Sequence, residues 1–265
     1  MNDNINQHIT MIKNGMQIAY LEWLEKQNEI NENTRYQAKD FHFSPSGSGR
    51  CHLINYFKMN KARKDEKSYK SLCTMRLGTV MHTEIQDALH YMFKHYKVMC
   101  EIPVTCLNTG HGFVKGHLDI AVEIDHDNAI LIDIKTVPAY AWSKLYGTKH
   151  RDESAGYGHK LQLGTYALGL KRDYGYKNIY MYLWHYNKNT SDMKFMEVDS
   201  EFEELAKEYW EKAAKKLGLM ISHNFDIDNI DINQLLTVVQ PPKYKWECDY
   251  CDYSGVCPIT RVEEK

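Results

Sequence analysis

Three residues in the middle of the chain and four near its ends have types and spacings that chemistry uses. In Ile132-Asp133-Ile134-Lys135 a carboxylate and an ammonium stand two residues apart, on one face of a strand, with the isoleucines opposite. Upstream, Gly116-His117-Leu118-Asp119 opens a second alternating run. There Asp119, Ala121 and Glu123 share a face, while Ile120, Val122 and Ile124 take the other, suited to a core. If the two runs form a hairpin turning on His126, Asp119 falls opposite Asp133 with Cβ atoms ~5 Å apart. Carboxylates that close repel, and one takes up a proton unless a cation sits between them. An oxygen-loving dication, Mg²⁺ or Mn²⁺, resolves the conflict. Lys135 reaches the same pocket, to polarise a water or offset charge building on a phosphate. An exposed hairpin with ordinary surface charges is the competing reading. Gly116, which lets another backbone approach closely, weighs against it.

Two further groups can join. His82 lies beside an apolar helical stripe, at the edge that would border a sheet; it is either a satisfied boundary residue or an imidazole ligand to the ion. Gln162 and Tyr166, four apart, share a helix face and can bond a phosphate or the carboxylates. Simple packing is their alternative.

The cysteines bracket the chain. Cys51 stands near the front, and Cys248, Cys251 and Cys257 close the back in CDYCDYSGVCP. Thiolates suit Zn²⁺ or an iron–sulfur cluster, and spacing does not choose between them. Tying a loop of roughly two hundred residues would stabilise the fold. Cys73, Cys100 and Cys106 read as small buried apolar residues.

These groups need a scaffold. With 265 residues, 43% of them hydrophobic and 12% aromatic, the chain can fold around a sizeable core. A formal charge of -2 excludes a uniformly basic coat, so nucleic-acid contact must be local. Lys58 to Lys70 is one basic patch, or else a solvated face. No signal peptide or spanning segment is evident, which predicts an intracellular protein with reduced thiols and no membrane partner. Helical periodicity runs over residues 3–38 and from Gly78 to Tyr96, along Met81, Ile85, Leu89, Met92 and Tyr96. Three strands follow, then an aromatic-rich stretch over 138–158, a helix over 159–171, two strands and a helix over 201–221. In the stretch over 138–158, Trp142, Tyr140, Tyr146, Lys144, Lys149 and Arg151 would stack bases and hold phosphates, or form an ordinary packed loop. The order implies one α/β (α+β) core with helical additions.

In this order the residues resemble the PD-(D/E)XK nuclease superfamily, in its RecB-like branch. That branch includes the nuclease domains of the RecB and AddB recombination enzymes and the CRISPR-associated RecB-like exonucleases. GTVMH at His82 resembles the branch's helix-borne histidine, GHLD its first acidic motif, DIK its second, and QLGTY its Q-x-x-x-Y motif. SPSGSGRC and the C-x2-C-x5-C tail resemble its iron–sulfur version. The resemblance implies a restriction-endonuclease-like core, a central mixed β-sheet flanked by helices, over residues 44–265, with an N-terminal helical region over 1–43. It implies that His82, Asp119, Asp133 and the Ile134 carbonyl ligate Mg²⁺ or Mn²⁺, that Lys135 is catalytic, and that Gln162 and Tyr166 contact substrate. It implies a [4Fe–4S] cluster on Cys51, Cys248, Cys251 and Cys257, with zinc as the alternative. The expected activity is exonucleolytic cleavage of DNA from ends or single strands, in replication, recombination, repair or spacer processing, beside a recombination, replication or integrase partner and in a cellular or viral setting. A catalytically silent DNA-binding subunit and a structure-specific endonuclease or nickase are the rival readings. The chain carries no G-x-x-x-x-G-K-[ST] phosphate loop, and so no motor of that type.

Overall fold

Runs in which apolar side chains recur at every second position pair into one sheet. Its strands are β1 (Lys97–Asn108), β2 (Phe113–Glu123), β3 (Asn128–Val137), β4 (Asn178–Asn187) and β5 (Met193–Val198), in that spatial order. β1–β2, β2–β3 and β4–β5 are antiparallel, and β3–β4 is parallel. A parallel neighbour requires a crossover, here made through α3 (Ala139–Tyr146) and α4 (Tyr157–Tyr174). The computed structural model describes residues 15, 16, 18–30, 41–149, 151, 152, 154–226, 230–239, 242 and 246–262.

Both faces of the sheet are covered, giving the mixed α/β, restriction-endonuclease-like architecture. On one face α2 (Tyr69–Met92) lays Ile85 and Leu89 over Ile120, Val122, Ile132 and Ile134. On the other, α4 and α5 (Glu201–His223) pack Leu161, Leu170, Trp210 and Leu217 with Leu118, Leu131 and Leu183. Trp210 is fully buried, and its indole N–H donates to Thr165 Oγ1 at 2.9 Å. A Cβ at Gly164 would collide with the Phe202 backbone, so glycine lets α4 and the start of α5 touch. A 3₁₀ turn (Pro45–Gly47) and α1 (Leu53–Met59) precede α2; α6 (Ile232–Leu236), α7 (Trp246–Asp249) and α8 (Pro258–Val262) end the chain.

Several boundaries differ from those expected. The helix expected over Gly78–Tyr96 begins at Tyr69, because residues 69–77 contain no breaker, and it ends at Met92. Met92 and Tyr96, expected on its buried stripe, are exposed. α3 lies inside the stretch read as irregular; Pro138, at φ -73°, is pre-set to enter it. Residues 18–30 are helical as expected, while the rest of the 3–38 helix lies largely outside the described residues. The chain divides into two compact units: residues up to Asp40 with Glu66–Met81, and Phe41–Asp65 with His82 onward. Within the first, the Arg76 guanidinium lies 5.1 Å over the Trp23 ring. Among the described residues no helix is long and apolar enough to cross a membrane.

Candidate active site

The β2–β3 hairpin sets the geometry. Asp125 Oδ1 closes its turn by accepting the amides of Asp127 and Asn128 at 2.9 Å, and Glu123 pairs with Ala129. The register therefore centres on His126 and runs to Ile120 opposite Ile132. One step further it would set Asp119 against Asp133, but there the ladder stops. Asp119 Oδ2 instead accepts the Ile134 amide at 2.7 Å. A side chain takes the place of a main-chain bond, and the strands part around two buried carboxylates.

The β1 side adds a group that sequence reading missed. Glu101 sits between the pairs Cys100–Ile120 and Ile102–Leu118, across from Asp119, with a left-handed φ of 51°. For a non-glycine residue this conformation costs about 1–3 kcal/mol, and the surroundings must hold it. Gln86 does so: its Nε2 donates to Glu101 Oε1 at 3.0 Å and to the Asp119 carbonyl at 3.2 Å. One turn earlier on α2, His82 Nδ1 lies 3.7 Å from Asp119 Oδ2 and faces the Ile134 carbonyl. Donor atoms of His82, Glu101 and Asp119 all lie within 4.8 Å of one another. The only sequence signal for Glu101 was an acidic residue inside an otherwise apolar strand.

Asp133 belongs to the same pocket but turns the other way. Gln162 Nε2 donates to its Oδ1 at 3.1 Å, and Lys135 Nζ lies 2.6 Å from its Oδ2. The ammonium approaches off the hydrogen-bonding direction, so Oδ2 is buried with an ion pair but no directed hydrogen bond. Gly116 makes room alongside: a Cβ there would stand 2.9 Å from Pro45 Cδ and 3.2 Å from the Tyr166 ring.

The electrostatics describe a pocket short of positive charge. Burial, and then the Asp133 charge, hold the Asp119 carboxyl well above the ordinary carboxylate range. Burial, and then Lys135, push the His82 imidazole down, so it is neutral. Burial first, then Asp133 and Asp119, drive the Tyr166 phenol up, so it stays a neutral donor. The His82 imidazole nitrogen with the carboxylates of Glu101, Asp119 and Asp133 forms a donor set that fits a hard dication.

The remaining expected site residues lie elsewhere. Trp142 packs on Tyr146 with ring centroids 4.8 Å apart, and Lys194 Nζ sits 4.8 Å from the Tyr146 ring. Tyr140 is the open aromatic, 73% exposed, with Lys144 Nζ 5.6 Å over its ring. Lys149 and Arg151 are exposed.

The cysteine-rich tail docks on the segment after Cys51. Asp65 donates its amide to the Asp252 carbonyl at 2.8 Å, its carboxylate accepts Ser254 Oγ at 2.8 Å, and Tyr253 packs on Phe57. Burial, then Cys257, Cys251 and Cys248, push the Cys51 thiol up to about 12. No three of these sulfurs lie within 4.8 Å of one another among the described residues. Four Zn–S bonds of ~2.3 Å would draw them to about 3.8 Å, so the sulfurs are not gathered as a finished zinc site, nor are they positioned for the expected iron–sulfur cluster. Of the other cysteines Cys106 is buried as expected, whereas Cys73 and Cys100 are only partly so.

The sequence profile of the PD-(D/E)XK nuclease superfamily matches residues 57–258. No curated protein matches the chain. The structure of SSO0001 aligns over 90% of this chain and 96% of its own, with a TM-score of 0.55 and 18% identity. A structure from Eubacterium rectale aligns over 78% and 92%, with a TM-score of 0.48 and 17% identity. An alkaline exonuclease (LHK-Exo) from Laribacter hongkongensis aligns over 71% and 95%, at 0.44 and 10%. Likeness at these identities concerns the fold alone.

Proposed function

Because this chain belongs to the PD-(D/E)XK nuclease superfamily, we propose that it is a metal-dependent deoxyribonuclease of the RecB-like branch that digests DNA from ends or single strands. The observation that carries this reading is the opening of the β2–β3 ladder around Asp119, Asp133 and Lys135. His82, Asp119, Asp133 and the Ile134 carbonyl would hold Mg²⁺ or Mn²⁺, with Glu101 as a further ligand. A bound dication supplies an acidified water and positive charge at the scissile phosphate. Lys135, which faces Asp133 at 2.6 Å, would offset charge on the phosphate. Gln162 orients Asp133, and Tyr166, held protonated, donates toward the substrate. Tyr140, Trp142, Lys144, Lys149 and Arg151 would line the path of a single strand, stacking bases and meeting phosphates.

Residues 44–265 would form the nuclease domain, with 1–43 as an addition. Cys51, Cys248, Cys251 and Cys257 would hold a [4Fe–4S] cluster that closes it. Supporting this are the docking of the tail beside Cys51 and the mutual electrostatic reach of the four thiols. Reduced thiol ligands fit an intracellular setting, cellular or viral, in recombination, repair or spacer processing.

The test is digestion of end-labelled linear and circular DNA, single- and double-stranded, with Mn²⁺ or chelator, by wild type, Asp133→Ala and Lys135→Ala. Mn²⁺-dependent loss of linear but not circular DNA, absent in both variants, is expected. Cleaved circles would make the protein an endonuclease. Binding without any cleavage would make it a silent DNA-binding subunit.

A further inference from the structure

α4 turns a polar stripe onto the sheet: His159, Gln162 and Tyr166, at i, i+3 and i+7. Gln162 covers Asp133, while His159 lies further along, its ring 6.3 Å from that of His185. His185 is the parallel ladder partner of Lys135, so the two side chains leave the sheet on one face. It is wholly buried. Its Nδ1 lies 2.7 Å from the Tyr146 hydroxyl, but among the described residues its Nε2 has no hydrogen-bond partner, and neither does the buried Nδ1 of His159. Leaving a buried nitrogen unmatched costs about 1–3 kcal/mol, and here both rings lie within electrostatic reach of Lys135.

Lys135 has three N–H donors, and Asp133 takes one direction of approach. Burial first, then the Lys135 charge, hold His159 down to about 3 and His185 to about 4. Both imidazoles are therefore neutral, and each offers one acceptor nitrogen. If Tyr146 oxygen accepts from His185 Nδ1–H, the free lone pair stands on Nε2.

We propose that His185 and His159 are positioning residues for Lys135: their unmatched nitrogens receive its ammonium when a divalent cation takes Asp133, and Tyr146 fixes the tautomer of His185 that can do so. This deepens the nuclease reading and rests on it only for the kinetic part of the test.

Nitrogen-15 NMR of metal-free, histidine-labelled protein reads the tautomer directly. His185 protonated at Nδ1 and bare at Nε2, with that preference lost in Tyr146→Phe, is the expected result; a proton on Nε2 in the wild type overturns the proposal. Adding Mg²⁺ should shift the His185 Nε2 resonance in wild type but not in Lys135→Ala, and equal shifts in both would also overturn it. Single-turnover cleavage then compares His185→Leu, which removes the acceptor, with His185→Gln, which supplies a carbonyl. His185→Leu should slow cleavage by about 10- to 100-fold, as loss of an orienting partner does, with Mn²⁺ and DNA affinity within about twofold. His185→Gln should recover most of the rate. Wild-type speed in His185→Leu sinks the idea. A wild type that cuts no DNA defeats the nuclease reading instead, and the two NMR readouts still decide this one, as they do if His185→Leu fails to fold.

Discussion

The carboxylate of Asp119 ends the β2–β3 ladder by accepting the Ile134 amide at 2.7 Å, so one side chain both shapes the pocket and faces it. The two duties separate by substitution. Asp119→Asn keeps an acceptor for Ile134 but loses the charge; Asp119→Ala strands a buried N–H, which costs about 1–3 kcal/mol. Both should lose Mn²⁺-dependent cleavage, while only Asp119→Ala should show a clearly lowered denaturant midpoint. Equal stability of the two variants would remove the structural duty.

Lys135→Ala probes the ion pair from the other side. Without the ammonium, Asp133 is a wholly buried carboxylate with Gln162 as its only hydrogen-bonding partner among the described residues. Breaking such a pair costs about 3–5 kcal/mol. In chelator the variant should melt well below wild type, and Mn²⁺ should recover much of the difference by supplying the missing charge. Cleavage should fall by at least about a hundredfold, the scale of losing one charge-stabilising donor. A variant whose melting ignores Mn²⁺ would contradict the shared pocket.

Much of this arrangement was legible in the chain. Alternation over 118–124 and 130–137, with the polar Asp125–Asn128 between, favours a hairpin centred on His126, since a one-residue slip would expose Ile120, Ile132 and Ile134; the ladder follows that register from Glu123 to Ile120 and stops short of Asp119 and Asp133. Gly116 read as a place of close approach, and Pro45 and Tyr166 fill it. Glu101 was not legible, since its role depends on a left-handed backbone and on Gln86 from another element. The His159–His185 pair was equally hidden: it exists only through the parallel β3–β4 register, which local pattern does not encode. α3 escaped because its buried side is little more than Leu145, with Trp142 and Tyr146 half-covered.

Acid should destabilise the metal-free protein. His159 and His185 are neutral in the fold at about 3 and about 4, against ~6.5 when unfolded, so below pH ~6.5 the unfolded chain binds two more protons there. Asp119, raised in the fold, opposes them with one. The net is one proton, about 1.4 kcal/mol per pH unit, or roughly 2–4 °C in Tm for a domain of this size. His52 and His82, also lowered, steepen the loss. Calorimetric Tm from pH 7 to 5 in chelator should fall accordingly, and less steeply in His185→Gln. Parallel profiles would exclude a buried neutral His185.

Anaerobically purified protein should be brown and carry about four iron atoms per chain. Cys51→Ser should lose the colour, because Cys51 is the one proposed cluster ligand from the front of the chain; Cys100→Ser should keep it. Zinc in place of iron would overturn the cluster and leave the carboxylate pocket untouched.

Titration calorimetry with Mn²⁺ tests the central claim, that buried acidic side chains from adjacent strands require a dication, most directly. Wild type should bind about one Mn²⁺ per chain at the pocket, Asp119→Asn should bind none there, and Glu101→Gln should bind about tenfold more weakly. No heat of binding in the wild type, or binding unchanged in Asp119→Asn, would contradict it.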